Sequence, residues 1–159
     1  METRILGISA SRKSADTVPL IGLVYRGNAW LDAVILHIMT KSDKSYLLDF
    51  AAKLRNSKQY SQIQTAIFSR ENILPNGLDD FRNFSDLIEF PILVICKRFN
   101  KSPNAAQVKW TEKDKTRSTI VWTSDGRTEV AKEVYRLGCK PGCYLPEAVR
   151  VADIIATQL

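Results

Sequence analysis

Histidine, cysteine and basic side chains carry much of the chemistry open to a protein of this size, and here they are unevenly spread. Histidine occurs once, at His37. Metal sites needing two or three imidazoles are therefore excluded, and a His-dependent nucleophile would have to work through that one ring. Standing between Leu36 and Ile38, His37 reads as a solvent-face residue of a strand. Of three cysteines, Cys96 lies inside an apolar run, while Cys139 and Cys143 flank a Lys-Pro-Gly turn. Their spacing suits one zinc ligand pair, but the chain offers no second pair. They read as a surface pair, reduced or occasionally oxidised. An odd cysteine count without an export signal predicts a reducing, intracellular and hence cytoplasmic setting. No apolar run approaches the roughly 18 residues of a membrane span, so no membrane partner is expected.

The basic residues carry a clearer pattern. With 23 Lys and Arg against 17 Asp and Glu, the formal net charge is +6, which favours a polyanionic partner. Arg12 and Lys13 follow one apolar run, Arg70 follows another, and Lys97, Arg98 and Lys101 follow a third. If those runs are strands, all six side chains stand at carboxyl ends, where open α/β sheets bind ligands. Clustered on one edge they can contact phosphates without a metal, and Phe99 and Trp110 are aromatic enough to stack on bases. Lys113, Lys115 and Arg117 fall in a charged stretch, 109–117, that reads as a loop or hairpin tip. DNA or RNA is the expected partner.

These residues need a scaffold, and the apolar spacing supplies one. Residues 5–9, 18–25 and 29–39 read as three strands joined by short turns, with Gly27-Asn28 as one turn signal. Asp43 can cap a helix in which Leu47, Phe50, Ala51 and Leu54 recur at helical spacing. A strand at 63–68, a helix at 78–88 and a buried strand at 91–96 follow, then a strand at 118–123. The next helix, 127–137, is expected to turn Val130, Ala131, Val134 and Leu137 inward and to stop at Gly138. A last helix opens at Pro146. An antiparallel meander feeding β-α-β units gives an α/β fold: a mixed sheet flanked by helices, of ribonuclease H-like order, in one domain over 1–159.

Four segments sharpen this reading. They are Arg4-Ile5-Leu6-Gly7-Ile8; residues 21–27 with 30–34 (IGLVYRG…WLDAV); residues 90–98 (FPILVICKR); and residues 145–156 (LPEAVRVADIIA). In this order they resemble an archaeal family related to endonuclease V, the endonuclease dU family, over nearly the whole chain. The resemblance implies a ribonuclease H-like fold, a nucleic-acid substrate and Mg²⁺-dependent phosphodiester cleavage of the kind used in DNA repair. In the family pattern one Asp follows the Leu-Gly-Ile of the first strand, another follows the apolar strand after the first helix, and a His stands in the last helix. Here Ser9, Ser69 and Asp153 occupy those three positions.

A serine hydroxyl carries no charge and holds a hard cation poorly, so the expected site is degenerate and inactive as a metal-dependent nuclease, with the basic edge left to bind nucleic acid. Two alternatives stand beside this. Glu71 and Asp153, with Asp32, could rebuild a metal site for Mg²⁺. Against it, Arg150 lies one helical turn before Asp153, and an ion pair between them would account for that carboxylate. Alternatively the chain is a non-catalytic subunit, in a homodimer or heterodimer, associating through apolar surface around Trp30 or Trp122.

Overall fold

Alternating and continuous apolar runs become the strands of one seven-stranded sheet in a computed structural model describing residues 2–100, 106–111 and 117–159. The first three strands are β1 (Arg4–Ala10), β2 (Thr17–Arg26) and β3 (Trp30–Thr40), an antiparallel meander. Gly27, at φ 55°, makes the turn between β2 and β3. Helix α1 (Tyr46–Arg55) leads to β4 (Thr65–Phe68), and α2 (Leu78–Ser85) to β5 (Ile92–Cys96). Strands β1, β4 and β5 are mutually parallel, so their carboxyl ends share one edge of the sheet. A hairpin of β6 (Gln107–Thr111) and β7 (Ser118–Thr123) pairs antiparallel to β5, giving the order β3-β2-β1-β4-β5-β7-β6. Helices α3 (Thr128–Leu137) and α4 (Glu147–Ala156) complete the chain.

Helices pack on both faces of the sheet, as β-α-β crossovers require. On one face Phe50, Leu54, Phe81 and Phe84, from α1 and α2, pack on Leu6, Ile8 and Phe68. On the other, Ala131 and Tyr135 of α3 and Ala148, Val149 and Ala152 of α4 cover Ile5, Leu23, Ile67 and Leu93. The α/β, ribonuclease H-like order expected from the sequence is the one observed. Among the described residues no helix is long and apolar enough to cross a membrane.

Several local expectations are corrected. Residues 109–111 belong to β6, an edge strand whose Lys109 faces solvent while Trp110 faces the core. Their charge reflects an edge with one wet side. Helix α2 stops at Ser85, whose hydroxyl donates to the Arg82 carbonyl and ends the turn. Asp43 does not cap α1. It accepts from the Ser45 amide and hydroxyl and orders the turn before the helix. Helix α3 buries Ala131 and Tyr135 and leaves Val130 and Leu137 exposed, because the Tyr135 ring packs edge-on against Trp110 at 5.2 Å. Trp110 is thus core and offers no base-stacking surface. Trp122 is buried as well, so only Trp30 of the two association candidates is exposed. His37 points inward with Ile35 and Met39 and stacks on Phe50 at 5.3 Å. Burial pushes its imidazole below its ordinary value.

Candidate functional site

Helix α4 approaches β1 closely at Gly7, where a Cβ would lie 2.3 Å from the Ala148 carbonyl carbon. Only glycine permits that approach. From Ala148 to Asp153 the helix rises about 7.5 Å, and from Gly7 to Ser9 the strand advances about 7 Å. The two climbs match, so Asp153 arrives opposite Ser9. Ser69 arrives beside Ser9 for a separate reason: β1 and β4 run parallel with Ile8 beside Phe68, and the Ser69 amide donates to the Ile8 carbonyl at 2.9 Å.

The three residues singled out by family position therefore converge. Ser69 Oγ donates to Ser9 Oγ at 2.9 Å, and Ser9 Oγ donates to Asp153 Oδ1 at 2.8 Å. Ser9 is fully buried, which withholds it from use as a nucleophile. Two arginines close over the chain of hydroxyls. Arg70 Nη1 stands 3.4 Å from Ser9 Oγ and 3.8 Å from Asp153 Oδ1, while its Nη2 donates to the Ala10 carbonyl at 3.0 Å. Arg12 Nη2 lies 3.5 Å from the same Asp153 oxygen. Burial, reinforced by repulsion from Arg12, pulls the Arg70 guanidinium below its ordinary value, and Asp153 opposes the shift. An arginine remains charged regardless at any working pH.

The expected pairing of Asp153 with Arg150 does not occur. Arg150 turns the other way, to Glu147, with Nη2 2.7 Å from Oε1 and Nε 2.8 Å from Oε2. Those bonds, foremost among the causes, hold the buried Glu147 carboxyl below the usual carboxylate range. The spacing alone could not choose, since Glu147 and Asp153 are each three residues from Arg150.

The other proposed metal ligands lie elsewhere. Asp32 is at the opposite end of β1 from Ser9, held by Arg4 at 3.0 Å and Arg26 at 2.8 Å. Burial works to raise its pKa, but the hydrogen bonds from Arg26 and Arg4 outweigh it and keep the group ionised. Glu71 opens a 3₁₀ turn after β4 and neighbours the Cys96 thiol; burial first, and Glu71 second, push that thiol up to about 12. Among the described residues no three His, Cys, Asp or Glu side chains gather as a metal cluster. Cys96 and Cys143 are free thiols, and the Cys139 thiol donates to the Tyr135 carbonyl at 3.3 Å.

The donor set at Ser9, Ser69 and Asp153 suits a divalent cation badly. Mg²⁺ is ordinarily held by carboxylates at such strand ends. Here one carboxylate faces two guanidiniums, and the Ser9 and Ser69 protons already point along the chain toward Asp153. What the edge offers is positive charge. Arg12 and Lys13 follow β1, Arg70 follows β4, and the exposed Lys97 and Arg98 follow β5, with Phe99 partly exposed beside them. Lys13 Nζ also reaches the Leu159 carbonyl at 3.1 Å, and Arg117 covers the Tyr144 ring at 5.7 Å. Lys101, Lys113 and Lys115 lie outside the described residues. Sequence reasoning missed one structural carboxylate, Glu147, and read a second, Asp80 in the first turn of α2, as structural through the helix dipole alone. Asp80 is buried and accepts hydrogen bonds from the Tyr46 hydroxyl and the Asn76 amide.

No protein-family model matches the chain. A UPF0215 protein of Methanosarcina barkeri is 28% identical over 179 aligned residues, covering 99% of this chain and 91% of that protein. Among solved structures, a protein of unknown function from Archaeoglobus fulgidus superposes with a TM-score of 0.77 at 15% identity, covering 99% of this chain and 98% of the other. Endonuclease V of Ciona intestinalis, solved with a 24mer DNA containing an inosine followed by a ribo-adenosine, superposes with a TM-score of 0.69 at 12% identity, covering 99% and 85%. The chain is endonuclease V-like in fold, with UPF0215 proteins as its relatives in sequence.

Proposed function

We propose that this protein binds nucleic acid through the carboxyl-end edge of its sheet and does not cut it by metal-dependent hydrolysis. The observation that carries this reading is the charge of the cluster: Asp153, its one carboxylate, lies within 3.5 Å of Arg12 and 3.8 Å of Arg70. A site so charged repels a divalent cation and attracts a phosphate. Arg12, Lys13, Arg70, Lys97, Arg98 and Lys101 supply the phosphate contacts, with Phe99 available to stack on a base. The solved complex of the Ciona enzyme with DNA supports the choice of ligand class.

The test is fluorescence anisotropy with labelled single- and double-stranded DNA and RNA, some strands containing deoxyuridine or inosine. Affinity is expected to fall steeply with salt. Replacing Arg12, Lys97 and Arg98 together by Ala should lower the slope of log affinity against log salt by about three. The same strands incubated with Mg²⁺ or Mn²⁺ should remain intact. Cleavage that disappears in Glu71→Ala or Asp153→Ala would overturn the inactive reading, and no binding at low salt would overturn the binding one.

A further inference from the structure

Strand β3 is one border of the sheet, so among the described residues the outer side of its backbone has no strand partner. Natural edge strands are usually blunted by Lys, Pro, a bulge or short length. Over 11 residues β3 contains no Lys, Arg, Pro or Gly. Its one carboxylate, Asp32, is already held by Arg4 and Arg26. The single register irregularity, at Val24/Tyr25 of β2, lies near the start of β3, and regular pairing runs on from Ala33 to Thr40.

The exposed side chains of this border are apolar. Val34, Leu36 and Ile38 alternate on the sheet face opposite α1 and are 57%, 49% and 51% exposed, with Leu31 and Trp30 exposed before them. Helix α4 packs on β1 and β2 of that face and leaves the β3 row open. We propose that this border is a homodimer interface, in which β3 of one copy pairs antiparallel with β3 of a second copy about a twofold axis near Leu36. In that register Val34 lies opposite Ile38, Leu36 opposite Leu36, and the inward Ile35 opposite His37. Outer apolar residues thus meet outer ones, and inner residues meet inner ones, because opposed residues of an antiparallel pair share a face.

Size and closure agree with that occupant. The three side chains of the row, about half exposed and each of roughly 150–200 Å² when bare, together with the pairing backbone, give on the order of 800 Å² for a symmetric pair, in the range of weak and reversible interfaces. A twofold pairing consumes both open β3 borders and stops at two copies. The opposite border, β6, carries the exposed Lys109 on its outer face and has no comparable apolar row.

Sedimentation velocity and light scattering of the full chain, at concentrations up to ~100 µM so that a weak dimer is populated, test the assignment. The expected species has twice the 18.0 kDa mass of one chain. Val34→Lys and Leu36→Lys, both at exposed positions, should halve the mass, leave the far-ultraviolet circular dichroism unchanged, and remove the concentration dependence of the melting temperature that dimerisation confers. Hydrogen exchange of the β3 amides in the unaltered protein should slow as concentration rises, a readout that requires no variant. A monomer throughout, a dimer that survives both substitutions, polydisperse aggregates, or β3 exchange independent of concentration would overturn the proposal.

Discussion

Ser9 donates a hydrogen bond to Asp153 and accepts one from Ser69, so the two hydroxyls serve as links and the charge at the strand ends is set by Asp153, Arg12 and Arg70. Adding two negative charges to that chain changes what it can hold. With Ser9→Asp and Ser69→Asp made together, three carboxylates would face one another, more than two guanidiniums neutralise. Mn²⁺ should then relieve the repulsion. At a hundredfold excess over its Kd the ion would stabilise the double variant by about 2.7 kcal/mol, a rise of roughly 5–10 °C in melting temperature. Calorimetry of both proteins with and without Mn²⁺ measures it, with the unaltered chain expected not to respond. An equal rise in the unaltered protein would mean that the serine site already takes the metal.

At the scale of elements, the site depends on how closely α4 lies on β1. Gly7→Ala places a methyl group against the Ala148 backbone, which cannot rotate away as a side chain would. Overpacking of this kind should cost ~3 kcal/mol, and lifting α4 should also lengthen the Ser9–Asp153 bond. Urea denaturation gives the first quantity; loss of nucleic-acid affinity in a still-folded Gly7→Ala protein would report the second. The elements themselves were largely legible, because β1, β2, β4 and β5 are nearly continuous apolar runs bounded by polar turns. What the periodicity could not supply was the orientation of a face. Val130 and Leu137 fit the inward stripe of α3 as well as Tyr135 does, until Trp110 of β6 selects the tyrosine. His37 likewise alternates correctly for either face of β3, and Phe50 of α1, thirteen positions away, decides it. The convergence of Ser9, Ser69 and Asp153 was readable only through the family resemblance, since no local rule joins residues 144 positions apart.

For the whole molecule these burials set how stability changes with pH. The folded pKa of His37 is depressed below 6.5, so the unfolded chain takes up that proton first as pH falls. The stability His37 permits is complete above 6.5 and declines below it. Glu147 and Asp32 also have depressed folded values, so their contribution is present above the ordinary carboxylate range and is lost below about pH 4.5. Melting temperature should therefore fall in two stages. His37→Phe, which keeps an aromatic ring on Phe50, should flatten the first stage between neutrality and about pH 5 and leave the second. A single unbroken decline, the same in both proteins, would count against this account. The bond between Ser9 and Asp153 also has a bearing on the chain's birth. With synthesis at roughly 5–20 residues per second, on the order of 10–30 s separates β1 from the helix that shields it. Throughout that interval the face of β1 and β2 that α4 will cover, with Ile5, Ile21 and Leu23 on it, has nothing to shield it from water.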